Sequence, residues 1–162
     1  MQMKRAACEI KSSEAIFQIL KKCHVCRLGL VRDNVPYIVP VSFGYSDNSI
    51  YFHTAQEGLK IDFIAAQNIA CFEFESGVGL LSEGNNPCDW GFSYQSVIGH
   101  GTIHELTDHQ DKVRGLDLIL RQYVEGVWPM ALPHVENTRV WKLDIESITG
   151  KQSEDHFCSI KY

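Results

Sequence analysis

Residues 27–54 read RLGLVRDNVPYIVPVSFGYSDNSIYFHT, and the punctuation of this stretch decides the fold class. Arg27–Val31, Tyr37–Tyr45 and Ile50–Thr54 are strand-like runs, rich in the branched and aromatic residues that suit a pleated surface. Arg32-Asp33-Asn34 and Ser46-Asp47-Asn48 separate them with turn residues. Connections this short join antiparallel neighbours, because a parallel crossover needs roughly a dozen residues or more.

Outward from this core, the pattern alternates between short helices and further strands. Upstream, Ser12–Cys23 places Ala15, Ile16, Ile19, Leu20 and Cys23 on one helical face, with Ser12 or Ser13 as the cap. Downstream, Gly58–Gln67 suits a short helix, and Ile69–Glu75 alternates as a half-buried strand. Ser76–Asp89, rich in Gly, Asn and Ser, reads as a long loop. A strand over Gly91–Leu106, bent near Gly99 and Gly101, leads to Thr107-Asp108-His109-Gln110, whose spacing is that of a capping box. The helix it opens carries Val113, Leu116, Ile119, Leu120 and Tyr123 on one face. Val124–Asn137 reads as irregular, and Val140–Ile148 as the last strand. The expectation is a mainly β fold, a Greek-key-like barrel with peripheral helices, as one domain over residues 1–162.

Composition narrows the function classes. Of the 162 residues, 44% are hydrophobic and 22% charged, which is ordinary for a globular chain and argues against disorder. A net charge of −5 gives no broad basic surface for nucleic acid. No apolar run approaches the ~20 residues that span a bilayer, and MQMKRAACEIK lacks the apolar core of a secretory signal. These features predict a cytoplasmic protein whose six cysteines are thiols.

The segment Tyr51–Asp62 carries the most chemistry. It runs from a strand end through a turn into a helix, where Thr54 supplies a hydroxyl, the helix start supplies N–H groups, and Lys60 supplies a charge. Together these make a phosphate-monoester site. The plain alternative is a strand-to-helix turn with Thr54 as a cap and Lys60 in solvent. Cys23-His24-Val25-Cys26 lacks the second ligand pair of a structural zinc site, and Cys23 on an apolar helix face reads as packing. His100 and His104 would lie ~13 Å apart on a strand, too far to share a metal, so no metal site is expected.

Tyr51–Asp62, followed by Asn68-Ile69-Ala70-Cys71-Phe72, resembles the flavin-phosphate motif of the pyridoxamine 5′-phosphate oxidase-like superfamily, most closely its nitroimidazole-resistance (Nim-type) branch. Pro36–Tyr45, Tyr94–Gly99 and Ile148–Lys151 match the same family in the same order. The resemblance implies a split β-barrel that dimerises, with FMN at the subunit interface; FAD would use the same phosphate site. It places Thr54 and Lys60 on the phosphate, and Val39, Pro40, Val41, Ser42 and Phe43 along the isoalloxazine. Gln95 and Ser96 are further flavin contacts, although the Nim-type pattern often carries Arg where Gln95 stands. His53 would lie near flavin and substrate as a proton donor. The implied activity is FMN-dependent reduction of nitroimidazole-like or other small electron-poor substrates. A non-enzymatic flavin carrier or sensor, and a haem-binding split barrel, are the alternatives.

Overall fold

Two Asp-Asn pairs set the first hairpins. In the computed structural model, which describes residues 8–82 and 85–153, Asp33 (φ 52°), Asn34 (φ 62°), Asp47 (φ 49°) and Asn48 (φ 58°) all take the left-handed conformation. Consecutive positive φ values are the signature of the tight turn whose twist matches antiparallel strands, and Asn and Asp tolerate it best. The pairs therefore join β2 (Cys26–Arg32) to β3 (Val35–Val41), and β4 (Gly44–Ser46) to β5 (Ser49–Thr54). The expected single run Tyr37–Tyr45 is in fact two strands, broken at Ser42 and Phe43.

The remaining elements are β1 (Glu9–Ile10), α1 (Ser13–Lys22), α2 (Leu59–Ala66), β6 (Ile69–Leu81), β7 (Gly91–Leu106), α3 (His109–Arg121), α4 (Leu132–Glu136) and β8 (Arg139–Gln152). The strand order is β3-β2-β6-β7-β8-β5-β4, with β1 paired to β8. The chain divides into two compact units, and the long strands β6, β7 and β8 run through both. No helix among the described residues is long and apolar enough to cross a membrane.

The larger unit comprises His24–Glu73 and Gly99–Ile148. Its core is made by Leu28, Phe43, Ile50, Phe52, Phe72, Val140 and Leu143, none of which retains measurable exposure. Burying each such side chain contributes roughly 1.5–3 kcal/mol. Gly99 and Gly101 permit a close approach of β7 to β8: a Cβ at Gly99 would stand 2.4 Å from the Ser147 carbonyl oxygen, and one at Gly101 2.1 Å from that of Asp144.

The smaller unit holds the described parts of 1–23, 74–98 and 149–162. Here Ser12 caps α1 by accepting from the Ala15 N–H at 3.3 Å, and Ile16, Ile19 and Leu20 are buried as the periodicity predicts. Two expectations fail. The Ser76–Asp89 loop begins only after Leu81, because Gly77 and Gly79 continue β6; their carbonyls accept from the Ser93 hydroxyl of β7 at 3.2 and 3.3 Å. A cross-strand neighbour has overridden poor local propensity. In the larger unit, the stretch expected to be irregular contains α4, opened by Pro133 in its first turn, where proline is well tolerated. The α3 cap also falls one residue later than the capping box predicts: Asp108 accepts from Gln110 and Asp111 N–H at 2.8 and 3.2 Å.

Candidate functional site

The site grows from the end of β5. His53 and Thr54 close the strand, opposite Val140 and Arg139 of β8. After them comes a turn, and Gly58 then opens α2 at φ 135°, a conformation that L side chains rarely adopt. The Gly58 carbonyl accepts from Ile61 and Asp62 N–H at 2.9 and 3.3 Å. No side chain caps this helix, and among the described residues nothing accepts from the Leu59 and Lys60 N–H groups. The helix start thus keeps open donors and the positive end of its dipole.

Lys60 stands there half-buried. Burial pushes its ammonium below the usual lysine range, and no carboxylate pairs with it among the described residues. The charge of Lys60 reaches His53. Partial burial first, and that charge second, hold the imidazole below its usual value of 6.5, although the residue keeps an exposed face. Sequence-predicted His53, Thr54 and Lys60 are therefore neighbours in one electrostatic environment.

Thr54 is 8% exposed and its hydroxyl is already engaged. Oγ1 accepts from Trp141 Nε1 at 3.0 Å and donates to the Ala55 carbonyl at 2.8 Å. Arg139 supports the same corner. Its guanidinium donates to Glu105 through Nε (2.7 Å) and Nη2 (2.5 Å) and to the Gln56 carbonyl at 3.4 Å, and it stacks 4.6 Å above the Trp141 ring. These bonds hold the Glu105 carboxyl below its ordinary range. Trp141 and Arg139 are supporting residues that sequence reasoning missed, since each lies more than 80 residues from the turn it braces.

Val39–Phe43 is built differently. Val39 is half-buried, Pro40 and Ser42 are exposed, and Val41 and Phe43 are buried. The Phe43 ring sits in the core and its N–H donates to Tyr123 Oη at 2.9 Å, which in turn donates to the His24 carbonyl at 2.8 Å. That backbone donor is taken by Tyr123. β3 ends the strand order, so its outer edge is open, with Ile38 71% exposed. Gln95 and Ser96 stand in the smaller unit on β7, where Gln95 Nε2 donates to Gln152 Oε1 at 3.3 Å.

Next to His53 lies a cavity of about 330 Å³ walled by α3, by Pro129–Ala131 and by α4. The helix face of Leu116, Ile119 and Leu120 was legible as apolar, but its partners Met130, His134 and Val135 fell in the stretch read as irregular. The other motif residues have separate surroundings among the described residues. His100 faces Ser147 at 3.5 Å and His104 faces Asp144 at 3.7 Å. Cys23 is buried, its Sγ 3.2 Å from the Ile19 carbonyl oxygen.

An antiparallel β fold with a half-buried cation that no carboxylate pairs among the described residues, at an uncapped helix start, defines a class: a β protein equipped to hold an anionic group. Comparison with known proteins makes this specific. The family profile described as Pyridoxamine 5′-phosphate oxidase matches residues 12–152, and the chain belongs to that family. Among curated proteins, none matches the sequence. Among solved structures, a provisionally assigned 5-nitroimidazole antibiotic resistance protein from Bacteroides thetaiotaomicron is similar, with 29% identity and a TM-score of 0.80, covering 89% of this chain and 86% of its own. An FAD- and heme-binding protein from Mycobacterium smegmatis has 20% identity and a TM-score of 0.80 over 90% of this chain and 73% of its own. The flavocytochrome Anf3 from Azotobacter vinelandii has 17% identity and a TM-score of 0.80, over 99% and 79%. At those identities the last two speak for the fold alone, which is mainly antiparallel β and of the split-barrel kind.

Proposed function

We propose that this chain binds FMN through Lys60 and the start of α2, and is an oxidoreductase that reduces small electron-poor substrates such as nitroimidazoles. The observation that carries the reading is Lys60: a half-buried ammonium without a carboxylate partner among the described residues, beside two open N–H groups. A phosphate monoester supplies the missing anion and accepts from all three donors. Gly58 fits this role, since a Cβ there would meet nothing within 4 Å and the approach to the helix start is clear. Thr54 joins by turning its proton from the Ala55 carbonyl toward the phosphate. FAD would present a diphosphate at the same place, and FMN is the smaller fit.

A bound flavin supplies the electron pair for reduction. The chain's own residues bind, orient and move protons. An imidazole with a depressed pKa surrenders its proton readily once charged, which suits His53 as proton donor to a reduced nitro group. Val39–Val41, on the open edge of β3, would give apolar cover to the ring, while Gln95 and Ser96 are proposed as further contacts. The likeness to the Bacteroides protein supports the substrate class. We further propose a homodimer with the flavin at its interface, for which the exposed Val35 and Ile38 on an end strand argue. A cytoplasmic location is part of the same reading.

Purified protein should be yellow, with absorbance near ~370 and ~450 nm. With reduced flavin it should consume a nitroimidazole, and His53→Ala should lose about 10²-fold in kcat while keeping the colour. Equal rates in the two proteins remove His53 from the mechanism. Colourless protein that FMN does not stabilise against heat refutes the whole reading.

A further inference from the structure

We propose that the cavity beside His53 is a pocket for a neutral, flat heteroaromatic ring, with His134 as its second polar anchor and Met130 as an adjustable wall. Ten residues line it: two imidazoles, Thr138 and seven apolar side chains, with no Lys, Arg, Asp or Glu. Within the lining itself an ionised ligand would find no counter-charge, Lys60 and Lys112 standing outside it, which favours an uncharged occupant. Ile119 and Val135 are buried and form the floor, while Leu116, Leu120 and Met130 are half-buried around it. Leu116, Ile119 and Leu120 are three and four apart on α3 and present one continuous apolar strip. Thr138 contributes little polarity, because its hydroxyl donates to the His134 carbonyl at 2.8 Å.

The imidazoles of His53 and His134 remain, each able to donate and accept, which matches a ring bearing nitrogen or oxygen at its edge. About 330 Å³ lies at the lower end of ligand-pocket volumes, which suits a single or fused ring. Met130 can re-pack around rings of different outline, since its unbranched thioether chain is adaptable.

The wall is also fastened to the phosphate-site turn. Gln56 Nε2 and Lys112 Nζ both donate to the Glu136 carbonyl at the end of α4, at 3.5 and 3.3 Å. Pocket and turn therefore share a support. The pocket's use as a substrate site rests on the flavin reading above; its existence as a binding site does not.

The test uses the full chain at pH 8, with benzimidazole as neutral probe and benzoate as a charged control, each titrated by NMR chemical shift. Benzimidazole should bind at one site, about 10-fold or more tighter than benzoate. Ala131→Trp at the mouth and Leu120→Trp in the wall should each weaken it by about 10-fold or more, with circular dichroism reporting the fold. Ala131 is exposed, so its variant tests the pocket even if Leu120→Trp misfolds. His134→Leu should cost about 5-fold. Saturating FMN should leave the benzimidazole affinity in place. Equal binding of benzoate, affinity unmoved by a folded Ala131→Trp, or competition between FMN and benzimidazole would overturn the proposal. Benzimidazole binding in protein that never takes up flavin upholds the pocket and fails the flavin reading alone.

Discussion

The two segments that resemblance assigns to one flavin differ in what they leave available. At residues 53–60, Lys60 and the first N–H groups of α2 have no acceptor among the described residues, although Thr54 is engaged. At residues 39–43, the Phe43 ring is in the core and its N–H is bonded to Tyr123. Both segments match a family motif, yet the first keeps a half-buried charge and helix-start donors in waiting, while what the second leaves open is the solvent-facing edge of β3. A ligand site is marked by groups that folding has partly desolvated and not satisfied, because such groups gain most when the ligand arrives.

The largest stability effect should come from the brace behind the first segment. Trp141→Phe keeps a smaller aromatic ring and deletes the donor to the buried Thr54 hydroxyl. It should lower stability by about 1–3 kcal/mol and also weaken FMN binding, measured by urea unfolding and flavin titration. Unchanged stability would show that the Trp141 bond does not hold this corner. Tyr123→Phe sharpens the contrast from the other side. It removes two bonds at once, but Tyr123 is 38% exposed and water can replace part of them. The expected loss is about 1 kcal/mol, with FMN affinity changed by less than about 3-fold. A large loss of flavin affinity would instead make Phe43 part of the binding wall.

The smallest effect is a pH slope. His53 has a folded pKa below its unfolded value of 6.5, so the unfolded chain takes up protons first as pH falls. Its contribution is fully present above pH 6.5 and is lost as pH drops through the folded value. His53→Gln should remove that part of the acid-side decline and leave stability above pH 7 unchanged. Parallel curves for the two proteins would mean that the imidazole is not desolvated as described.

Much of this was legible in the chain itself. Asp33-Asn34 and Asp47-Asn48 announce their turns because the conformation they adopt is local. Ser12 and the Ile16, Ile19, Leu20 stripe announce α1 for the same reason. The misreadings share a different cause. Gly77 and Gly79 form strand despite poor local propensity, and their carbonyls accept from Ser93 of β7, a partner that the local sequence does not announce. The site divides in the same way. Lys60 could be picked out from its place after a strand end and a turn, and His53 from the family resemblance, whereas the engagement of Thr54 and Phe43 depends on Trp141 and Tyr123, 87 and 80 residues away. His134 and Met130 were hidden because Pro129 and Pro133 disguise a pocket wall as a loop.

The central claim is that Lys60 at the head of α2 binds a phosphate, and comparing FMN with riboflavin isolates that phosphate. Fluorescence titration of the wild-type chain should give FMN an affinity about 10²-fold above that of riboflavin, and Lys60→Met should bring the two within about 3-fold by weakening FMN alone. Equal affinities in the wild-type chain, or an FMN preference that survives in Lys60→Met, would contradict the account.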